Sequence, residues 1–260
     1  MEYQRIKFFV ADGIARIILN NPDKLNPLDV PTYTELVDVM EECRRNDIKV
    51  VVISGEGKGF CAGGDLLDMT SGGWDVFPKV VEDQINLAGE LALRIRKLDK
   101  PIIASLKGAV AGAGFNLALL CDFRIAADNC KFTQAFIKIG LIPDLGGTFI
   151  LSRIVGIAKA TELAMTGDLI NAQEAMSMGL LTKVVPLQEL EAETVKLAEK
   201  LARSPQQAIG MIKSLITDYE FEEFEKYLQK EAAYQIQLSK MYDAREGVSA
   251  FLEKRRPEFQ

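Results

Sequence analysis

The chain has 260 residues, 48% hydrophobic and 26% charged, with a net charge of −6, four cysteines and no histidine. Such a composition builds one large buried core and leaves no basic stripe for nucleic acid. The absence of histidine excludes Ser-His-Asp and Cys-His nucleophiles, His-bearing zinc sites and imidazole acid–base chemistry. The longest apolar runs are strand-sized, well short of the roughly 20 residues a membrane helix needs, and the N-terminus has no leader pattern, so a cytoplasmic location is expected. Cys43, Cys61, Cys121 and Cys130 show no CxxC spacing and read as buried thiols.

In chain order, "RIKFFVADG" and "IARIILNNP" read as strands joined by a hairpin turn at Asp12-Gly13. "PLDVPTYTELVDVMEECRRN" places Leu36, Val39, Met40 and Cys43 at helical spacing. "KVVVISGEGKGF" is a buried strand leaving into a glycine-rich loop. A helix follows over roughly 79 to 98, then strand, glycine-rich loop, helix and strand across "KPIIASLKGAVAGAGFNLALLCDFRIAADNCKFT". From Leu187 onward only amphipathic helices are readable. The pattern predicts an α/β fold in which a strand–strand–helix core over residues 1–190 is followed by a helical region over 191–260.

The glycine-rich loops do not have the spacing of a nucleotide P-loop. Gly112 and Gly114 lack the third glycine of a dinucleotide fingerprint, since Leu117 stands there. Both "CAGGD" and "AGAGF" instead offer unhindered backbone N–H groups, which suit either an oxyanion or simple close packing. Asp144, between Pro143 and Leu145 in "IGLIPDLGGT", is a turn or capping residue on local grounds, or else a proton carrier.

"FCAGGDL", "GAVAGAGFNLALLCDFRIAA", "IGLIPDLGGT", "NNPDKLNPLD", "TGDLINAQEAMSMGLLTKVV" and "REGVSAFLEKRRPEF" together resemble the crotonase, or enoyl-CoA hydratase/isomerase, superfamily. The resemblance runs the length of the chain. It implies a spiral of ββα units with a helical C-terminal region used for trimerisation, assembled as a homotrimer or hexamer. It also implies an acyl-CoA thioester substrate with no separate cofactor, because coenzyme A is part of the substrate, and no metal, membrane or nucleic-acid partner.

The resemblance puts an oxyanion hole at the backbone N–H groups of Gly64 and Ala113. The two catalytic glutamates of the hydratases fall on Asn116 and Phe136, which disfavours the standard hydration chemistry. Asp144 occupies the position where some isomerases carry a catalytic aspartate, and the loss of both hydratase acids favours the proton-carrier reading. Asn116 is then either a solvent-facing helix residue or a hydrogen-bond partner of substrate or water. Lys24, Leu25, Ala62, Asp65 and Leu66 are implied contacts of coenzyme A, with Phe136 beside the acyl group. Phe251 and Lys254 are implied to reach the nucleotide from a neighbouring subunit. Asp65 and Asp68 also read as helix-start carboxylates, and Trp74 as part of a lid.

"AFIKIGLIPDLGGT" and "REGVSAFLEKRRPEF" resemble most the isomerase branch acting on 3-enoyl-CoAs and on ring-1,2-epoxyphenylacetyl-CoA. Acyl specificity falls to the stretch 67 to 90. The rival expectations are a hydratase or hydrolase of a dienoyl- or cyclic enoyl-CoA, and a non-catalytic CoA- or RNA-binding scaffold.

Overall fold

A computed structural model describes residues 3–260. Strands β1 (Ile6–Ala11) and β2 (Ile14–Leu19) pair antiparallel, Ile6 opposite Leu19 and Ala11 opposite Ile14. Asp12 and Gly13 turn the chain at φ 52° and 79°, the left-handed pair a two-residue hairpin requires. Helix α1 (Val30–Glu42) starts at Asp29, whose carboxylate accepts from Thr32 N at 2.8 Å, and buries Leu36, Val39 and Met40. The β-branched run becomes β3 (Val50–Gly55), followed by the short α2 (Leu66–Thr70) and the long α3 (Phe77–Lys97).

Next come β4 (Ile102–Leu106), β5 (Ala109–Ala111), α4 (Ala113–Leu120), β6 (Phe123–Ala127) and β7 (Lys131–Thr133). Every residue of α4 is buried, so its sequence, "AGFNLALL", is apolar nearly all round, as a core helix must be. The chain continues through α5 (Gly147–Val155), α6 (Ile157–Thr166), β8 (Ile170–Asn171), α7 (Ala172–Ser177) and β9 (Lys183–Val185). Helices α8 (Leu190–Ala202), α9 (Gln206–Glu220), α10 (Phe224–Ser239) and α11 (Tyr242–Glu253) complete it.

Six strands form one sheet in the order β1-β2-β3-β4-β6-β9, parallel after the first pair. A second, three-stranded sheet, β5-β7-β8, stands apart from it. Its strands are two or three residues long, too short to leave a periodic signal. The core fills the space between the large sheet and the helices α1, α3, α4 and α8. α10 packs along α3, and α11 against the segment 135–139, which brings the C-terminal helices to the edge of the glycine-rich loops. Among the described residues no helix is long and apolar enough to cross a membrane.

Candidate active site

The site grows from the contact between two glycine-rich loops. Cys61 N donates to Ala109 O at 3.1 Å and Ala111 N to Cys61 O at 3.0 Å, which zips the loops together. A Cβ at Gly114 would overlap the side chain of Cys61, so only glycine allows that approach. Gly112 follows β5 and adopts φ 51°, leaving Ala113 as the first residue of α4. The methyl group of Ala113 therefore meets no conformational penalty, because the left-handed turn falls on the preceding glycine. Neither Gly64 N–H nor Ala113 N–H donates to a protein acceptor among the described residues. Both residues line one cavity of about 390 Å³. An open N–H at the start of α4 carries the positive end of the helix dipole.

Of the residues expected to hold coenzyme A, Lys24, Ala62, Asp65, Leu66, Phe136 and Phe251 line this cavity. Leu25 does not. Its carbonyl accepts from Ala62 N at 2.9 Å, so it fixes the lip of the cavity from behind. Lys254 is also outside the lining; it ends α11 in a left-handed conformation at φ 57°. Phe251 lines the cavity of its own chain, where α11 packs back over residues 135–139. Lys24 forms an ion pair with Asp65 at 2.7 Å, and that hydrogen bond raises the lysine's pKa. Asp65 also caps α2 through Asp68 N at 3.2 Å, the helix-start role read from sequence.

Asp144 sits on the turn before α5. Leu145 and Gly146 both take positive φ, 53° and 71°. A Cβ at Gly146 would overlap the ring of Phe224, and one at Gly147 would overlap the amide of Asn116, so the paired glycines let the turn sink into the core. Asn116 is fully buried, which rules out a solvent-facing role. Its Nδ2 donates to the Asp144 carbonyl at 3.0 Å, and its Oδ1 accepts from Gln134 Nε2 at 2.7 Å. Both ends of the amide are thus engaged within the protein, and Asn116 holds the aspartate's backbone.

The Oδ1 of Asp144 is covered and has no hydrogen-bond partner. Burial pushes its carboxyl up to about 7, with the Asn116 amide and the residue's own N–H opposing the shift. The carboxyl faces a second chamber, about 50 Å³, lined by Tyr33, Gly64, Leu66, Gln84 and Phe136 among others. Gly64, Leu66, Phe136 and Ile139 border both chambers, so the acid and the open amides belong to one continuous site. Phe136 gives the chamber an apolar wall. Ile142 is not part of that wall: its backbone N–H and C=O pair with the Gln235 amide at 3.0 and 3.1 Å.

Helix α10 contributes residues that the sequence reading did not single out. Tyr227 pairs with the Thr148 hydroxyl, Glu231 Oε1 accepts from Gly146 N at 3.1 Å, and Gln235 holds Ile142. These three, each four residues apart, grip the 142–148 turn along one helical stripe. Their signal was present: Glu231 and Gln235 share the buried face with Phe224 and Leu228, an unusual place for polar groups. Gln84 gives a similar signal on the buried stripe of α3, between Val81 and Ile85. Burial pushes the Glu231 carboxyl up to about 9, opposed by Gly146 N–H and reinforced by the nearby Asp144 charge. Trp74, read as part of a lid, packs edge-on against Phe77 at 5.4 Å under the guanidinium of Arg245 and lines neither chamber.

These loops, in this order, are those of a known family. Residues 10–260 match the family model described as enoyl-CoA hydratase/isomerase. The chain is 38% identical to 1,2-epoxyphenylacetyl-CoA isomerase of Escherichia coli, over 96% of both chains. It is 35% identical to trans-2-decenoyl-[acyl-carrier-protein] isomerase of Streptococcus mutans, over 100% of this chain and 99% of the other. A crystal structure of an enoyl-CoA hydratase from Mycobacterium avium subsp. paratuberculosis superposes with a TM-score of 0.91 at 33% identity, each chain covered completely. The protein belongs to the enoyl-CoA hydratase/isomerase family. It has the crotonase fold and is an enzyme of that family.

Proposed function

We propose that the chain is an acyl-CoA isomerase that moves a double bond from the 3- to the 2-position, or isomerises ring-1,2-epoxyphenylacetyl-CoA, with Asp144 as proton shuttle. One observation carries the reading: among the described residues Asp144 is the only carboxylate bordering the inner chamber, its Oδ1 is unpartnered, and the chamber adjoins two unengaged backbone N–H groups. Hydration calls for carboxylates at the positions of Asn116 and Phe136, which are an amide held inside the core and a ring.

In the double-bond shift, the thioester carbonyl oxygen accepts from Gly64 N–H and Ala113 N–H. Ionised Asp144 removes a proton from the α-carbon, and the C–H electron pair flows into a dienolate whose oxygen the two amides stabilise. The acid then returns the same proton to the γ-carbon, restoring the carboxylate. Each such donor typically contributes about 10²–10³ in kcat. Lys24, Ala62, Asp65 and Leu66 would form the walls for coenzyme A, which enters as part of the substrate, so no separate cofactor is needed. The assembly would be a homotrimer or hexamer.

The test is turnover of 3-enoyl-, 2-enoyl- and epoxyphenylacetyl-CoA by wild type and Asp144→Asn. Isomerisation should fall roughly a thousandfold in the variant, within the range of general acid–base effects, while CoA-ester binding is kept. Equal rates would remove Asp144 from the mechanism. In deuterated water, net water addition in place of simple deuterium uptake would establish a hydratase, and no turnover of any ester would leave a binding scaffold.

A further inference from the structure

The inner chamber contains a polar group that the proton shuttle does not use. Gln84 lies on α3 with 8% of its surface exposed, on the stripe that also buries Val81, Ile85 and Ala88. Its Nε2 is covered and without a hydrogen-bond partner. The other amide on this chamber, Gln235, spends both ends on the Ile142 backbone. Gln84 is therefore the unspent amide of the chamber. Leucine or methionine would fit this stripe without stranding a polar group, so the glutamine costs the fold something that packing does not return.

We propose that Gln84 is a specificity-determining residue, and that the chamber selects a short acyl group carrying an oxygen a few bonds beyond the thioester, as a hydroxyl, carbonyl or ether. The proposal rests on the acyl-CoA reading of the site. A hydrocarbon tail would expel water from the amide and offer nothing in exchange, whereas a substrate oxygen replaces the lost bond. An amide presents a donor at one end and an acceptor at the other, so it serves all three oxygen types. The Tyr33 side chain borders the same space from α1. Size points the same way: a chamber of about 50 Å³ favours a short acyl chain over a long one.

The experiment compares matched pairs on wild type and Gln84→Leu. For turnover the pair is hex-3-enoyl-CoA and 6-hydroxyhex-3-enoyl-CoA, with dec-3-enoyl-CoA as the long control. For binding it is hexanoyl-CoA and 6-hydroxyhexanoyl-CoA, measured by calorimetry. Wild type should favour the oxygenated member about tenfold in kcat/KM and in affinity, and turn over the decenoyl ester worst. Gln84→Leu should abolish or invert the preference, and an unchanged circular dichroism spectrum shows that the variant is folded. An unchanged ratio in Gln84→Leu, or a wild-type preference for the hydrocarbon member, overturns the proposal. Discrimination in binding without turnover would uphold the subsite and sink the isomerase reading. Failure of every CoA ester to bind would overturn both.

Discussion

Asp144 combines two demands that oppose each other: it must be buried to be basic enough, and burial penalises its charge. Its carboxyl is raised from 3.8 to about 7 in the fold. Ionised Asp144 is the base, so kcat/KM for isomerisation should climb with pH through about 7, and the rise should vanish in Asp144→Asn. Stability runs the other way. Between the two pKa values the unfolded chain has lost this proton and the folded chain has kept it, so the native state loses stability as pH rises through that window. Above pH 7 the loss is on the order of a few kcal/mol. Asp144→Asn should accordingly raise Tm more at pH 8 than at pH 5, measured by scanning calorimetry. A Tm gain that is the same at both values would mean the carboxyl titrates normally. The acid itself was legible in the sequence because "PDLGG" stands in a long motif. Its support by Asn116 was not, because that contact depends on a close approach which only the missing Cβ of Gly147 permits.

Elements with a local cause were legible, and those with a distant cause were not. The hairpin follows from Asp12-Gly13, β3 from its β-branched run, and α3 from its 3.6-residue stripe. The β5-β7-β8 sheet depends on pairing across the chain, as does the grip of α10 on the 142–148 turn. That grip makes α10 part of the site's scaffold although it touches the inner chamber only through Gln235. Glu231→Gln retains an acceptor for Gly146 N–H and should leave kcat within about threefold, no more than one hydrogen bond's typical net worth. Glu231→Ala strands that buried N–H, and should cost roughly 1–3 kcal/mol in urea unfolding along with a clear drop in kcat. If the alanine variant keeps full stability and rate, the α10 stripe is not what holds Asp144 in place.

At the scale of the whole molecule, α9 is fixed on one side and exposed by its own chain on the other. Lys213 is buried, donating to Asp122 Oδ2 at 2.8 Å and to Lys100 O at 2.9 Å, while Arg96 pairs with Asp122 Oδ1 at 3.0 Å. Removing one member of such a cluster leaves uncompensated buried charge, so the helix has a firm seat. Its far face exposes Met211, Ile212, Leu215, Ile216 and Tyr219, with Tyr219 79% exposed. Beside it runs a groove of about 670 Å³, bordered by Ile150, Ile154, Ile212 and Phe221, which contains none of the residues assigned to the chemistry. A contiguous apolar face on a rigid helix is what a second copy of the chain would cover. Sedimentation should therefore give a trimer or hexamer for wild type. The double variant Ile212→Glu, Leu215→Glu, which places two charges on that face, should sediment as a smaller species with its helical circular dichroism intact. Because α11 supplies Phe251 to the cavity of its own chain, the separated subunit should still bind a CoA ester. Wild-type sedimentation as a monomer would show that this face has another purpose, and lost binding in the dissociated variant would show that a neighbour completes the site.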